Sequence, residues 1–284
     1  MKHIVLWLSL LAMAVAPARG AEAPKFYAFC VEVGVPGVKP RPLPEQATLL
    51  RDIGFDGVGY LLWLDENLEQ NLKTIESAGL QAYLLQTNIN IDPNAAAPFD
   101  KRLPDTIRKL KGHPVTVVAT INGLKPGDPA GIEPAVRALR ALGDIAAEAG
   151  VRISVYNHVK CWAESVPFIV ELVRKTNHPQ VGFNFNLCHW VKVEGDKDPR
   201  PLLRENAAKL FCVTICGSEI GAAQWTNGLI QPLDKGTFDN RALLATLDEI
   251  GYRGPVGLMC YGVPGDAREH LTRSMKVWKS WFVK

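Results

Sequence analysis

Four junctions in this chain share one pattern, in which an apolar helix ends at a glycine and a strand begins at once. They are Ile53-Gly54-Phe55, Ala78-Gly79-Leu80, Ala149-Gly150-Val151 and Ile250-Gly251-Tyr252. Glycine at such a position takes the left-handed conformation that ends a helix, so each junction predicts a helix followed by a buried strand. Repetition of this unit predicts parallel strands with helices packed outside them, because parallel neighbours are joined by crossover helices.

Apolar runs between these junctions complete eight predicted strand–helix pairs. The predicted strands are 26–31, 55–60, 80–86, 115–121, 152–158, 180–190, 211–216 and 255–261, and the predicted helices include 45–53, 101–111, 131–149, 164–176, 199–209, 240–250 and 268–282. No Gly-x-Gly-x-x-Gly follows the first strand and no Walker loop occurs, which disfavours an open nucleotide-binding sheet. The predicted fold class is therefore α/β, a single-domain (β/α)8 TIM barrel after an N-terminal signal peptide.

The first twenty residues have the pattern of a signal peptide. A short basic start precedes an uncharged apolar run over residues 4–16, and the small residues Ala18 and Gly20 follow it. This run is short for a membrane span, and the small residues fit a cleavage site after Gly20. We expect 1–20 to be a signal peptide and 21–284 the barrel, exported to a periplasm or secreted, with no stable membrane association after cleavage. The alternatives are an uncleaved anchor and a buried first helix.

Composition restricts the partners and the redox chemistry. The net charge is +3 and no basic stretch alternates with aromatic residues, so we expect no nucleic-acid partner. The six cysteines form no Cys-x-x-Cys pair and fall mainly in apolar, strand-like runs, which favours small buried side chains over a disulfide framework. Cys188 and Cys216, in neighbouring predicted strands, are the pair that a disulfide would join.

Polar side chains gather where two neighbouring predicted strands end. Tyr156 and His158 end the fifth strand, and Asn186 and His189 end the sixth. The carboxyl ends of barrel strands meet at one mouth, where TIM-barrel enzymes have their active sites. Because imidazole gains and loses a proton near neutral pH, we predict His158, His189 and the adjacent Tyr156 as catalytic residues. The alternative is that each histidine is a hydrogen-bonded structural group.

Other strand ends and loops supply groups suited to a carbohydrate. An amide both donates and accepts hydrogen bonds, as a sugar hydroxyl does, and an indole face can stack on a sugar ring. The predicted substrate-binding residues are Asn186, Asn122, Gln86, Lys160, Glu32 and Trp190. We therefore expect a small-molecule carbohydrate as the partner. For Lys160 a solvated loop position is an equal alternative, and for Trp190 simple loop packing is.

Four segments carry a resemblance to a known group of proteins: 50–58, Tyr156-Asn157-His158, 186–189 and 247–256. In them the chain resembles the xylose isomerase-like TIM barrel superfamily, the sugar phosphate isomerase and epimerase group, over nearly all of 21–284. The resemblance implies a sugar isomerase or epimerase. It also implies a divalent metal held by a Glu after strand 5, an Asp and a His around strand 6, a His on strand 7 and a Glu after strand 8.

The metal ligands implied by the resemblance are largely replaced. The residues at the matching positions are Tyr156, Asn186, Thr214 or Cys216, and Cys260, with His189 kept. Hard cations need anionic oxygens, so no cofactor is predicted as necessary. If a divalent metal (Zn or Mn) is bound, its expected ligands are His158, His189 and Cys216.

Three functional interpretations remain open at this stage. The first is an exported, isomerase- or epimerase-like enzyme that moves a proton next to a carbonyl of a sugar or keto-sugar, with lyase-type chemistry on a keto-sugar as a variant. The second is a non-catalytic carbohydrate-binding barrel that has lost the metal site. The third is a metal-dependent phosphodiesterase like endonuclease IV, which ranks last because it needs a cluster of His, Asp and Glu ligands.

Overall fold

The computed structural model describes residues 23–282, and its eight strands close into a barrel in chain order. The strands are β1 Phe26–Phe29, β2 Gly57–Leu61, β3 Gln81–Asn90, β4 Thr116–Asn122, β5 Arg152–Val155, β6 Val181–Asn186, β7 Leu210–Ile215 and β8 Val256–Met259. Every neighbouring pair is parallel, and β8 pairs with β1. The predicted single-domain α/β barrel is confirmed. The predicted signal peptide, 1–20, lies outside the described residues.

Helices cover the outside of the barrel. They are α1 Leu43–Ile53, α2 Asn67–Ser77, α3 Leu103–Lys109, α4 Ile132–Ala149, α5 Val166–Thr176, α6 Leu187–Glu194, α7 Arg200–Glu205, α8 Asn240–Glu249 and α9 Ala267–Ser280, with 3-10 turns at Pro129–Gly131 and Ala207–Lys209. In the part of the chain that is described, no helix is long and apolar enough to cross a membrane.

The repeated glycine junctions have the predicted geometry. Gly54 and Gly150 end α1 and α4 with φ of 100° and 70°, and Gly79 and Gly251 have φ of 79° and 71°. Only glycine adopts such values at little cost. A strand follows each junction within a few residues. Local turns therefore help to set where each of these strands begins, together with packing of the core.

The two segments that carry the candidate site differ from the prediction. The predicted strand 152–158 ends at Val155, so Tyr156 and His158 lie in the loop that follows β5. The predicted strand 180–190 ends at Asn186, where α6 begins. The Asn186 side chain accepts a hydrogen bond from the His189 backbone N–H and so caps this helix. The run after Asn186 is therefore a helix, although its apolar residues suggested a strand.

The cysteines are free thiols in the described chain. Five are buried and Cys30 is half-buried, which matches the expected role as small core side chains. Cys188 and Cys216, the pair that a disulfide would join, are both free thiols. The last helix also buries a titratable group, because His270 on α9 is 5% exposed.

Candidate functional site

A cavity of about 700 Å³ opens at the carboxyl ends of the strands, and we call it the mouth cavity. Its wall is mainly aromatic and aliphatic: Phe29, Tyr60, Leu61, Trp63, Trp225, Ile230, Met259 and Tyr261. Its polar side chains are Gln86, Tyr156, His158, Lys160 and His189. Among the described residues that line it, none is Asp or Glu. The volume is that of a site for a small organic ligand.

The two predicted catalytic histidines lie side by side in this cavity. The ring centroids of His158 and His189 are 4.2 Å apart, with an angle of 42° between the ring planes. His158 follows β5 directly, and His189 lies in the first turn of α6. The convergence of strand ends therefore brings the pair together, as the sequence predicted.

One backbone residue fixes the proton positions on both rings. His158 donates from Nδ1 to the carbonyl oxygen of Val159 at 2.9 Å, which leaves its Nε2 as a lone-pair acceptor. The backbone N–H of Val159 donates to Nδ1 of His189 at 3.4 Å, which leaves the proton of His189 on Nε2. The hydrogen bond made by one ring nitrogen sets the state of the other. The pair thus offers one base and one hydrogen-bond donor.

Both imidazoles are held in the neutral form. Burial lowers the pKa of His158, and the hydrogen bond to Val159 opposes this only in part. Burial lowers the pKa of His189 well below its usual value, and repulsion by His158 adds to the effect. Because desolvation penalises the cation, both rings stay uncharged at neutral pH.

Tyr156 adds a second neutral donor to the cavity. Its hydroxyl oxygen accepts a hydrogen bond from Asn186 Nδ2 at 2.6 Å, so the phenolic proton can be donated to a ligand. Burial raises the pKa of Tyr156 well above its usual value, which keeps that proton in place. The Tyr156 ring lies 5.9 Å from the His158 ring and 5.7 Å from the His189 ring, centroid to centroid.

Two of the predicted substrate-binding residues, Lys160 and Gln86, complete the polar groups of the mouth cavity. Lys160 is exposed at the rim and has a φ of 68°, in the left-handed region that a lysine rarely adopts. Its backbone N–H donates to the Glu164 carboxylate at 2.7 Å, which supports that turn. The side-chain amide of Gln86 makes no hydrogen bond within residues 23–282. Both groups are therefore available to a ligand.

Two other predicted substrate-binding residues have structural roles instead. Asn186 is fully buried and uses its amide to cap α6 and to donate to Tyr156. Trp190 is 3% exposed, packs its ring 5.7 Å from that of Phe185, and donates from Nε1 to the Lys197 carbonyl oxygen. The first turns of α6 rotate Trp190 toward the core, so neither residue lines the mouth cavity.

Glu32 and Asn122 are also turned to other partners. Glu32 is 8% exposed, and its carboxylate pairs with the Arg41 guanidinium. Asn122 donates to the Oδ1 of Asn88 on the neighbouring strand. Neither lines the mouth cavity. The prediction that these two residues contact a ligand there is corrected accordingly.

Trp63, which follows β2, was missing from the predicted site. Trp63 follows β2 by two residues, and its ring packs 5.3 Å from that of Tyr60. Both line the mouth cavity, with Leu61 between them in sequence. The signal was present, since Trp63 follows the predicted strand 55–60 within three residues. Trp225, in the loop after β7, also lines the cavity, with its ring centroid 5.3 Å from that of His189.

The metal site implied by the fold does not fit these residues. Within residues 23–282, no three His, Cys, Asp or Glu side chains are placed to hold a metal ion. Cys216, the expected third ligand beside His158 and His189, lies outside the mouth cavity. Its Sγ is 3.4 Å from Ser218 Oγ and donates to the Leu229 carbonyl oxygen at 3.3 Å. The expected trio of ligands is therefore wrong.

A family model matches most of the chain. The model for the xylose isomerase-like TIM barrel covers residues 47–281. The chain belongs to this family. The family assignment confirms the resemblance carried by the strand ends, and it accounts for the closed barrel. No curated protein is similar enough in sequence to count as a relative.

Solved structures of similar fold belong to proteins with several activities. One is the probable 3-DHS dehydratase from Bacillus anthracis involved in petrobactin synthesis, at 14% identity and a TM-score of 0.71, covering 90% of this chain and 98% of that one. Another is 3-keto-D-glucoside 4-epimerase from E. coli, at 17% identity and 0.71, covering 90% and 99%. A third is an L-ribulose 3-epimerase, at 15% and 0.69, covering 91% and 94%. At these identities the similarity shows the fold alone.

Proposed function

We propose that this protein is an exported enzyme that moves a proton at the carbon next to a carbonyl group of a sugar or keto-sugar, in an isomerase- or epimerase-like reaction. The observation that carries the proposal is the neutral His158–His189 pair, whose tautomers are set in opposite senses by the backbone of Val159. A base and a hydrogen-bond donor 4.2 Å apart, centroid to centroid, suit enolisation of a carbonyl compound.

In this mechanism the Nε2 lone pair of His158 takes the proton from the carbon beside the carbonyl. The electrons of the broken C–H bond form a C=C bond, and the carbonyl π electrons move to oxygen, which gives an enolate. The Nε2–H of His189 and the O–H of Tyr156 donate to that oxygen, and the Lys160 ammonium adds positive charge at the rim. The epimer forms when the enolate turns its opposite face toward His158 and takes the proton back on that face, which also restores the enzyme.

The structural neighbours support proton transfer of this type. A 3-keto-D-glucoside 4-epimerase inverts a carbon that is adjacent to its keto group, and an L-ribulose 3-epimerase inverts one adjacent to the ketose carbonyl. This chain shares their fold. Because the metal ligands do not fit, the proposed steps use only side chains of the chain itself.

Exchange of substrate protons with solvent tests the proposal. A panel of sugars, keto-sugars and glycosides is incubated in D₂O, and deuterium incorporation next to the carbonyl is followed by NMR. We expect His158→Ala and His189→Ala each to slow exchange at least about 100-fold. His113→Ala is the matched control, because His113 hydrogen-bonds to Glu76 far from the cavity. Wild-type exchange in both site variants would refute the assignment.

Removal of metal gives a second test of the same proposal. Since no described cluster fits a metal, we expect exchange to continue after dialysis against EDTA and to be unchanged by added Zn²⁺ or Mn²⁺. Elemental analysis of protein purified without chelators accompanies the assay. Loss of exchange on dialysis, with recovery on adding metal, would show that the proposed metal-free steps are wrong.

A non-catalytic carbohydrate-binding barrel is the second candidate. It is favoured by the apolar wall of the cavity and by the absence of carboxylates among its described lining residues. Thermal stabilisation by a panel compound, with no exchange and no product, would support this candidate over the enzyme.

Export is the remaining part of the proposal. It rests on the basic start, the apolar run 4–16 and the small residues before Ala21. N-terminal sequencing of the mature protein from its native host is expected to begin at Ala21. A mature chain that begins at Met1 and stays in the cytoplasm would contradict it.

A further inference from the structure

A second hollow of about 690 Å³ adjoins the mouth cavity along β3, and we call it the β3 groove. Its polar lining residues are Gln86, Thr87, Asn88, Asn90, Asp100 and Thr120. The loop after β3 closes its other side with Ala95, Ala96, Ala97, Pro98 and Phe99. The Asn90 backbone N–H donates to the Pro98 carbonyl oxygen at 2.7 Å, which ties this loop to the strand.

The groove and the mouth cavity are neighbours. Leu61 and Gln86 line both of them. Leu61 is 65% exposed, an unusual position for a leucine, and it forms a low apolar boundary between the two spaces. The amide of Gln86 has no partner among the described side chains, so it can bond to a ligand that crosses this boundary.

The two spaces differ in chemistry. The mouth cavity is walled by aromatic rings such as Trp63 and Trp225, whereas the β3 side of the groove carries amides and hydroxyls, and leucines and the 95–99 loop form its apolar remainder. Asn88 Oδ1 accepts from Thr120 Oγ1 and from Asn122, which turns the Asn88 NH₂ group toward other acceptors. Asn90 Oδ1 likewise accepts from the Asp92 backbone N–H, at 3.0 Å. The groove therefore presents free N–H donors, which suit the oxygens of sugar hydroxyls.

We propose that the β3 groove binds the second ring of a two-ring glycoside, whose keto-sugar ring lies over the histidine pair in the mouth cavity. This inference rests on the proposed function for the identity of the reacting ring. Aromatic walls bind the C–H faces of that ring, and the amides of the groove bind the hydroxyls of the next sugar. A disaccharide spans both spaces, whereas a monosaccharide fills only one.

The test compares one-ring and two-ring probes. The one-ring probe is methyl 3-keto-glucopyranoside, and the two-ring probes are the 3-keto forms of cellobiose, maltose and trehalose. Binding is measured by calorimetry, and turnover by deuterium exchange. We expect at least one two-ring probe to bind about tenfold or more tightly than the one-ring probe, as one or two added hydrogen bonds allow. Equal or weaker binding of every two-ring probe would overturn the inference.

Groove variants locate the effect. Asn88→Ala removes the free donor, and Ala96→Trp fills the groove from an exposed loop position without removing any buried contact. Each is expected to lower the ratio of two-ring to one-ring affinity about tenfold. Asn94→Ala, in the same loop but outside the groove lining, is the matched control and should keep the wild-type ratio. An unchanged ratio in Ala96→Trp would refute the groove as the site.

The outcomes also separate this inference from the proposed function. Exchange with the one-ring probe but no groove-dependent preference would leave the proposed enzyme intact and remove the second subsite. Groove-dependent binding of a two-ring probe without exchange would keep the subsite and remove the proposed reaction.

Discussion

The buried imidazole of His270 predicts a loss of stability in acid that is independent of catalysis. Burial lowers the pKa of His270 to about 4, with Asp266 raising it and Arg273 lowering it by smaller amounts. The unfolded chain restores the usual value of about 6.5. Between these values the unfolded state binds a proton that the folded state does not, so stability falls as the pH falls through 6.5 toward 4.

The size of the effect follows from the two pKa values. Protonation of the unfolded state alone costs the folded protein about 2 kcal/mol between pH 8 and pH 5. For a domain of this length, that corresponds to a drop in Tm of roughly 4–8 °C. The variant His270→Gln does not titrate in this range. Between pH 8 and pH 5 its Tm should therefore fall roughly 4–8 °C less than the Tm of the wild type.

Differential scanning calorimetry at pH 8 and pH 5 measures this difference. Any fixed effect of the substitution on stability cancels, because each variant is compared with itself. Val277→Ala on the same helix is the control, since losing part of a half-buried side chain should lower Tm by a similar amount at both pH values. A pH-dependent drop in His270→Gln equal to that of the wild type would refute the buried, neutral state of His270.

Three further predictions concern the site. Burial lowers the pKa of His158 and His189, so their base form persists in acid. We therefore expect kcat/KM for exchange to fall in acid only below pH 6.5, the usual pKa of histidine. A fall at or above pH 6.5 would contradict the neutral pair. Tyr156→Phe removes a donor to the enolate oxygen and should lower kcat about 100-fold, measured by exchange in D₂O. Trp190→Ala should destabilise the fold by about 3–5 kcal/mol in urea unfolding, whereas Trp225→Ala should mainly weaken ligand binding, measured by calorimetry.

The fold was predictable from short-range signals. A glycine that must be left-handed marks the end of a helix, and four such junctions place enough strands to define the barrel. The boundary at β6 was not predicted, because the apolar side chains of 187–190 fit a strand and a buried helix equally well. The signal that distinguishes a helix from a strand here was Asn186, a residue type that caps helices. Its side chain accepts a hydrogen bond from the backbone N–H of His189.

The site was predictable only as far as strand ends determine it. His158 and His189 meet because neighbouring strands end at the same mouth, and this depends on topology alone. Which side chains face the cavity depends on how the loops and α6 turn, and these local rotations moved Trp190 into the core and left Trp225 at the mouth. The extent of β3 was also missed, although residues 88–91 alternate asparagine and isoleucine and so carried a strand signal.

The neutral residues at positions 156 and 186 form one arrangement with the histidines. A carboxylate at the fully buried position of Asn186 would cost several kcal/mol unless a cation paired with it. Asn186 keeps the acceptor oxygen that caps α6 and adds an NH₂ group that donates to Tyr156. Without an anion beside them, His158 and His189 gain nothing from protonation, so burial lowers the pKa of both. Tyr156 and Asn186 stand where the resemblance implies a Glu and an Asp, so the ligands of a hard cation are missing there. The same two residues keep a neutral base and a neutral donor next to each other.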